Sequence, residues 1–199
     1  NKSVLSEKHQ INLQHLLWCI GVFIHEHHLT DISLAPTLIN TVLRLIKQAG
    51  NAESTDAKPE VFQTIFGMLS SLTPLKQQLH AGDPKLISSL AADLAHFVIL
   101  QMNLFRNNKR QPQVASRLVS DALYCLRDWL MAGHELIIIS SERLYIILNA
   151  IETALNEDKF AKRTVPELSD IKDAAEYALC HLINHVGHFP PAYGPTGQP

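Results

Sequence analysis

The chain has little glycine, little cysteine and no sustained run of charge, and each shortage excludes something. Eight glycines in 199 residues leave no glycine-rich loop to cradle a phosphate, no Walker motif and no G-x-S-x-G elbow. Cys19, Cys125 and Cys180 form no CxxC pair, and an odd count gives no disulfide framework. Their setting in apolar helical patterns is that of small buried hydrophobes, which fits a reducing compartment and a cytoplasmic chain. The net charge is -2 and the pI is near 6.6. Only Lys109 and Arg110, with Arg106 nearby, approach a basic run, too little to track a phosphate backbone, so nucleic acid is not an expected partner. No apolar run reads as long enough to cross a bilayer, and the start shows no signal-peptide pattern. The chain opens on Asn1 rather than Met, as an excised part of a longer protein would.

What is present is helical periodicity, bounded by proline and glycine. Pro59, Pro74, Pro84, Pro112 and Pro166 precede apolar stretches, where a missing N–H costs nothing in the first helical turn. Pro36 falls near the start of its own segment. Thr73 and Asp83 stand directly before prolines as N-cap candidates. Gly50, Gly82, Gly133 and Gly187 sit where helices would close in left-handed geometry. The pattern predicts helices over 6–28, 33–49, 59–71, 74–80, 84–106, 112–132, 141–157 and 168–187.

Leu13, Leu16, Leu17, Ile20 and Ile24 follow the i, i+3, i+4, i+7 rule of one buried face. So do Leu90, Leu94, Phe97 and Val98; Leu144, Ile147, Leu148 and Ile151; and Ala175, Ala178, Leu179, Leu182 and Val186. Leu136–Ile139 is the one β-like run, read as a buried helical connector because it has no second strand to pair with.

The expected fold is all-α, with antiparallel helix pairs stacked in units the size of HEAT or armadillo repeats. A compact helical bundle is the competing geometry. Residues 1–187 form the helical-repeat domain, with an exposed loop or omitted insert near 50–58, and 188–199 form an extended Pro-rich tail. An internal slice of an array should be apolar at both ends, since it lacks polar capping repeats. The first helix is apolar more than half way round, which favours an array or a partner covering one side.

Several constellations invite a chemical reading. His25-Glu26-His27-His28 is not a zincin motif, because its histidines lie three or fewer residues apart and a polar helix end explains them. His181 and His185 share a helical face that His188 continues, the sequence's best metal candidate. No carboxylate or thiol joins them, and a helix end carrying partly cationic imidazoles is the simpler reading, so no metal or cofactor is expected. Glu53, Asp56 and Glu60 read as solvated loop carboxylates. Glu26, Asp128 and Glu176 read as salt-bridged or solvated. Nothing points to an enzyme. In the tail, Pro190, Pro191 and Tyr193 make a PPxY sequence, the form that docks in WW-domain grooves. Its simpler role is an extended tail anchored by Phe189 and Tyr193. Trp18, Phe23 and Phe105 are candidate partner anchors, although large aromatics more often belong to the core.

Two blocks carry a family resemblance. Ile171-Lys172-Asp173-Ala174-Ala175-Glu176, Leu182-Ile183, Gly187-His188-Phe189-Pro190 and Gly194-Pro195 form one. Ala122-Leu123-Tyr124-Cys125-Leu126 with Trp129-Leu130 form the other. At similar spacing, over roughly residues 114–197, they resemble the large subunits of Ral GTPase-activating protein complexes, alpha or beta, relatives of tuberin. Residues 1–113 match only in helical character, and Met131–Ser140 is more apolar than the family pattern. The resemblance implies a helical-repeat scaffold preceding a C-terminal Rap/Ran-GAP domain that works through a catalytic asparagine. Asn103, Asn107, Asn108, Asn149 and Asn184 do not stand in that α/β setting, so no catalytic residue is carried over. The implied function is non-catalytic subunit assembly, or binding of a regulatory small GTPase. The alternative is a stand-alone cytosolic helical adaptor or trafficking module unrelated to GTPases.

Overall fold

The computed structural model describes residues 2–27, 33–51, 59–107, 109–137, 140–156 and 167–186. Among them there are helices and turns and no strand. The helices are α1 (Lys2–His27), α2 (Ala35–Asn51), α3 (Pro59–Ser71), a 3-10 turn (Thr73–Leu75), α4 (Lys76–Gly82), α5 (Leu86–Arg106), α6 (Pro112–Ile137), α7 (Ser141–Leu155) and α8 (Glu167–Val186).

Prolines open three of these elements as expected, with Pro59 and Pro112 first in α3 and α6 and Pro74 inside the 3-10 turn. Asp83 does not cap α5, whose N-cap is Lys85 without a side-chain cap; its carboxylate accepts from the Lys85 N–H at 2.9 Å and its carbonyl from the Leu86 N–H, which shapes the turn before the helix. Thr73 does not cap. Its hydroxyl donates back to the Ser70 carbonyl at 2.9 Å, which ends α3 instead of starting α4. Ser140 caps α7 by accepting from the Arg143 N–H.

The glycines behave differently from the expectation. Gly50 lies inside α2, and α4 ends by passing into extended Asp83 (φ -149°, ψ 104°). Gly133 is not left-handed (φ -145°, ψ 38°); it kinks α6, which resumes through Leu136 to Ile137. The β-like run is therefore helical as far as the described residues reach, and Ile137 is fully buried. Ile138 and Ile139, Gly187, the 52–58 stretch and the 187–199 tail lie outside the described residues.

Helix contacts fall into two rows. One runs α1 on α3, α3 on α6 and α6 on α8; the other runs α2 on α5 and α5 on α7. The rows join mainly where α5 meets α6 and where α7 meets α8. One hydrophobic core follows these contacts from Leu17 and Ile24 to Ala178 and Leu182, with Trp129 fully buried within it. Three phenylalanines meet at the α3–α5 contact: Phe97 lies 5.1 Å from Phe62 and 5.5 Å from Phe66, centroid to centroid.

By length and composition α5 could cross a membrane, contrary to the expectation from sequence, but 67% of its apolar window is buried inside the protein. Its packing against α2, α6 and α7 accounts for that apolarity. Arg143 of α7 donates to the Ser88 hydroxyl of α5. The Lys76 ammonium pairs with Glu135 at 3.0 Å, tying α4 to the far end of α6.

Candidate partner-binding face

Between Leu16 and Ile24 helix α1 is apolar more than half way round, and only one side is used internally. Leu17 and Ile24 are buried against the core, with Leu13 and Ile20 half-buried beside them. Gly21 lets α1 sit close on α3: a Cβ there would stand 2.9 Å from Cγ of the fully buried Met68. Polar contacts fix the register. The Gln14 amide donates to the Glu60 carbonyl at 3.1 Å and to the Thr64 hydroxyl at 3.2 Å. His25 Nε2 donates to the Ser71 carbonyl at 3.0 Å.

The remaining faces of α1 expose Ile11 (47%), Leu16 (56%), Trp18 (52%), Val22 (57%) and Phe23 (37%). Leu16 therefore leaves the buried stripe in which its spacing had placed it. Trp18 and Phe23 are exposed, whereas Phe105 is half-buried against the core. From His9 to His25 the helix contains no Asp, Glu, Lys or Arg. A soluble face of this length normally carries charge, and a contiguous apolar patch on it marks a contact surface. His25 and His27 stand in the last turn of α1, where His27 stacks on Phe23 (4.2 Å, 21°) and its Nδ1 donates to the Phe23 carbonyl. His28 lies outside the described residues.

The other end of the two rows is also apolar. Tyr145 and Leu148 on α7 and Tyr177 and Ile183 on α8 are exposed. Leu148 had been read as core from its spacing.

Several of the residues that could do chemistry are held in structural contacts. Cys125 is completely buried; desolvation, reinforced by Asp128 and opposed by a hydrogen bond with Ser70, pushes its thiol up to about 12. Such a thiol is not a nucleophile near neutrality. Cys19 and Cys180 are exposed, not buried as their apolar neighbours suggested. Asp128 pairs with Arg127 at 2.7 Å, and Glu60 lies 3.9 Å from Arg117. Burial raises the Asp121 carboxyl above its ordinary range, with Arg117 opposing. Arg110 does not extend a basic surface: it is buried, and desolvation lowers its pKa. Arg106 donates to the Thr153 carbonyl, linking α5 to α7.

Among the described residues no group of three His, Cys, Asp or Glu is arranged to hold a metal ion. His181 is half-buried on α8, while the side chain of His185, and His188, Pro190, Pro191 and Tyr193 altogether, lie outside the described residues. Two clefts remain. One of about 530 Å³ lies between α2 and α5, with the Lys47–Asp93 ion pair (2.9 Å) beside Phe97 and Leu100. A smaller one of about 180 Å³ separates α3 from α6 beside Gly67, Asp121 and Tyr124. Neither gathers the convergent polar groups of an active site.

No family model, curated protein or solved structure matches the chain.

Proposed function

We propose that this chain is a non-catalytic helical scaffold segment that works by binding a protein partner through the outer face of α1. The observation that carries the reading is the charge-free exposed stretch containing Ile11, Leu16, Trp18, Val22 and Phe23. Interface centres favour large apolar and aromatic anchors and exclude charge. The two rows of helices support stacked antiparallel pairs of the α-solenoid kind, and the apolar residues at both ends of the rows are what an internal slice of an array presents.

For the setting, we favour the helical region of a Ral-type GTPase-activating complex, with the partner being its other subunit or a regulatory small GTPase. This rests on the resemblance of residues 114–197. Within those residues, Ala122, Leu123, Cys125, Leu126, Trp129 and Leu130 are core residues, so that block speaks for shared packing and not for a shared active site. Co-expression with the other subunit tests the proposal. Retention of that subunit by the wild-type chain, lost on Trp18→Lys/Val22→Lys, supports it. Equal retention by both chains, or stimulated GTP hydrolysis on Ral by this chain alone, overturns it.

A further inference from the structure

Two glycines stand inside helices, and packing accounts for only one of them. Gly21 lets α1 sit on Met68. Gly67, in the middle of α3, has no such duty: among the described residues a Cβ there would meet nothing within 4 Å. Glycine is the poorest ordinary residue for a helix interior, so the fold gains nothing from it there. What the missing side chain leaves open is the notch of about 180 Å³ between α3 and α6, where Gln63, Phe66, Ser70, Asp121 and Tyr124 join Gly67. Small-molecule sites run to roughly 300–1,000 Å³, and this smaller notch suits a single side chain.

The chemistry of the lining selects that side chain. Asp121 is half-buried, and its Oδ2 is buried with no hydrogen-bond donor among the described residues. Burial raises its carboxyl above the ordinary range, with Arg117 opposing through charge. The strong cations of the two helices are committed elsewhere. α3 contains no Lys or Arg. In α6, Arg117 donates to Gln63 at 2.7 Å and lies 3.9 Å from Glu60, while Arg127 pairs with Asp128 at 2.7 Å. Asp121 is therefore the surplus negative charge of the notch. A guanidinium meets it on better terms than an ammonium, because it is planar, more weakly hydrated and able to stack on aromatic rings. The Tyr124 ring already holds one guanidinium, that of Arg127, whose Cζ lies 5.1 Å from the ring centroid.

We propose that this notch receives an arginine side chain of a protein partner, with Asp121 taking the guanidinium and Gly67 leaving room for its stem. The protein source follows from place. α3 packs between α1 and α6, and Trp18 lies one turn beyond Gln14, which bonds to α3. The notch therefore opens one helix along the row from the α1 face. At about 8–10 Å per helix the separation is on the order of 15 Å, inside the footprint of a standard interface of about 800 Å² per partner. The protein source rests on the reading of α1 as the assembly face; the arginine site itself does not. A charge pair of this kind fixes the register of a partner more than it tightens the complex.

Titration of the isotope-labelled chain with acetyl-arginine-N-methylamide tests it, at constant ionic strength, through the NMR shifts of the Gly67 and Asp121 amides. Saturating shifts are expected there, with a Kd on the order of 10 mM. The neutral isostere acetyl-citrulline-N-methylamide should bind at least about fivefold more weakly, and acetyl-lysine-N-methylamide more weakly than the arginine compound. Gly67→Leu fills the notch with a good helix former, so it should melt at or above the wild type and show no saturation. Asp121→Asn should lose saturation too. Equal binding of the citrulline compound overturns the inference, and that arm needs only the wild-type chain. So does a lysine compound that binds as tightly as the arginine one, or arginine binding that survives Gly67→Leu. Free arginine binding about tenfold more tightly than the blocked form also overturns it, since that marks a small-molecule site. Trp18→Lys/Val22→Lys should bind the arginine compound like the wild type. If it does so and still retains the other subunit in co-expression, the notch stands and the α1 face falls. If the arginine compound fails to bind the wild type while that variant loses the subunit, the notch falls and the α1 face stands.

Discussion

Alanine at Gly21 and alanine at Gly67 are the same chemical change in two helices, and they should move stability in opposite directions. In a helix interior, Gly→Ala gains about 1 kcal/mol from backbone entropy. At Gly67, in the middle of α3, a Cβ meets nothing within 4 Å, so the full gain should appear. At Gly21 the Cβ would stand 2.9 Å from Met68 Cγ, inside the roughly 3.5–4.0 Å of an ordinary carbon contact. Met68 is fully buried, and the atom met is mid-chain rather than a mobile tip. Overpacking of this kind costs about 1–3 kcal/mol, leaving Gly21→Ala destabilising by about 0–2 kcal/mol. The two variants should then differ by about 1–3 kcal/mol, or about 2–12 °C in Tm for a chain of this size. Urea and thermal unfolding followed by far-ultraviolet circular dichroism read both quantities. In a Met68→Ala background the Gly21 penalty should disappear. If Gly21→Ala stabilises as much as Gly67→Ala, α1 is not seated on α3 in the way described, and its outer face is not the face identified.

Further outcomes follow from the core and the caps. Trp129→Ala should cost about 3–5 kcal/mol, a large share of the roughly 5–15 kcal/mol of an ordinary domain, and so lower Tm steeply, because Trp129 is fully buried where α6 meets its neighbours. Ser140→Ala should lower stability by about 1 kcal/mol in urea titrations, since the hydroxyl accepts from the Arg143 N–H at the start of α7. With the Cys125 thiol pushed up to about 12, the folded chain holds that proton when the unfolded chain has lost it. Its contribution to stability is therefore full below about pH 8.5 and declines as the pH rises from there toward 12. Cys125→Ala should flatten that alkaline decline. In a thiol titration at pH 8, Cys19 and Cys180 should react promptly and Cys125 only on unfolding.

Much of the fold was legible because helices announce themselves through periodicity and proline. Pro59 and Pro112 mark true starts, and Leu90, Leu94, Phe97 and Val98 are all buried as their spacing requires. The glycines were harder. Gly133 was read as a stop and proved a kink, because Ile137 beyond it still has core to fill. Thr73 was read as a cap, but its hydroxyl has a nearer acceptor in Ser70.

The candidate face was less legible for a specific reason. Leu16 and Leu17 are identical in type and adjacent, yet one is exposed and the other buried. Only the placement of α3, fixed through Gly21 and Gln14, decides between them. The same holds for Leu148 on α7 and for Cys19 and Cys180, each apolar in context and exposed in the fold. On a helix apolar all round, periodicity cannot separate a face that packs within the chain from one that meets a partner. The near-absence of charge from His9 to His25 was the signal available.

The most direct test of the proposed setting is retention, by the immobilised chain, of the subunit proposed as its partner, wild type against Trp18→Lys/Val22→Lys. The wild-type chain is expected to hold the subunit, and the double variant to hold it at least about tenfold more weakly, since each substitution places a charge in the centre of the contact. Undiminished retention by a variant that melts like the wild type would contradict the assignment of α1 as the assembly face.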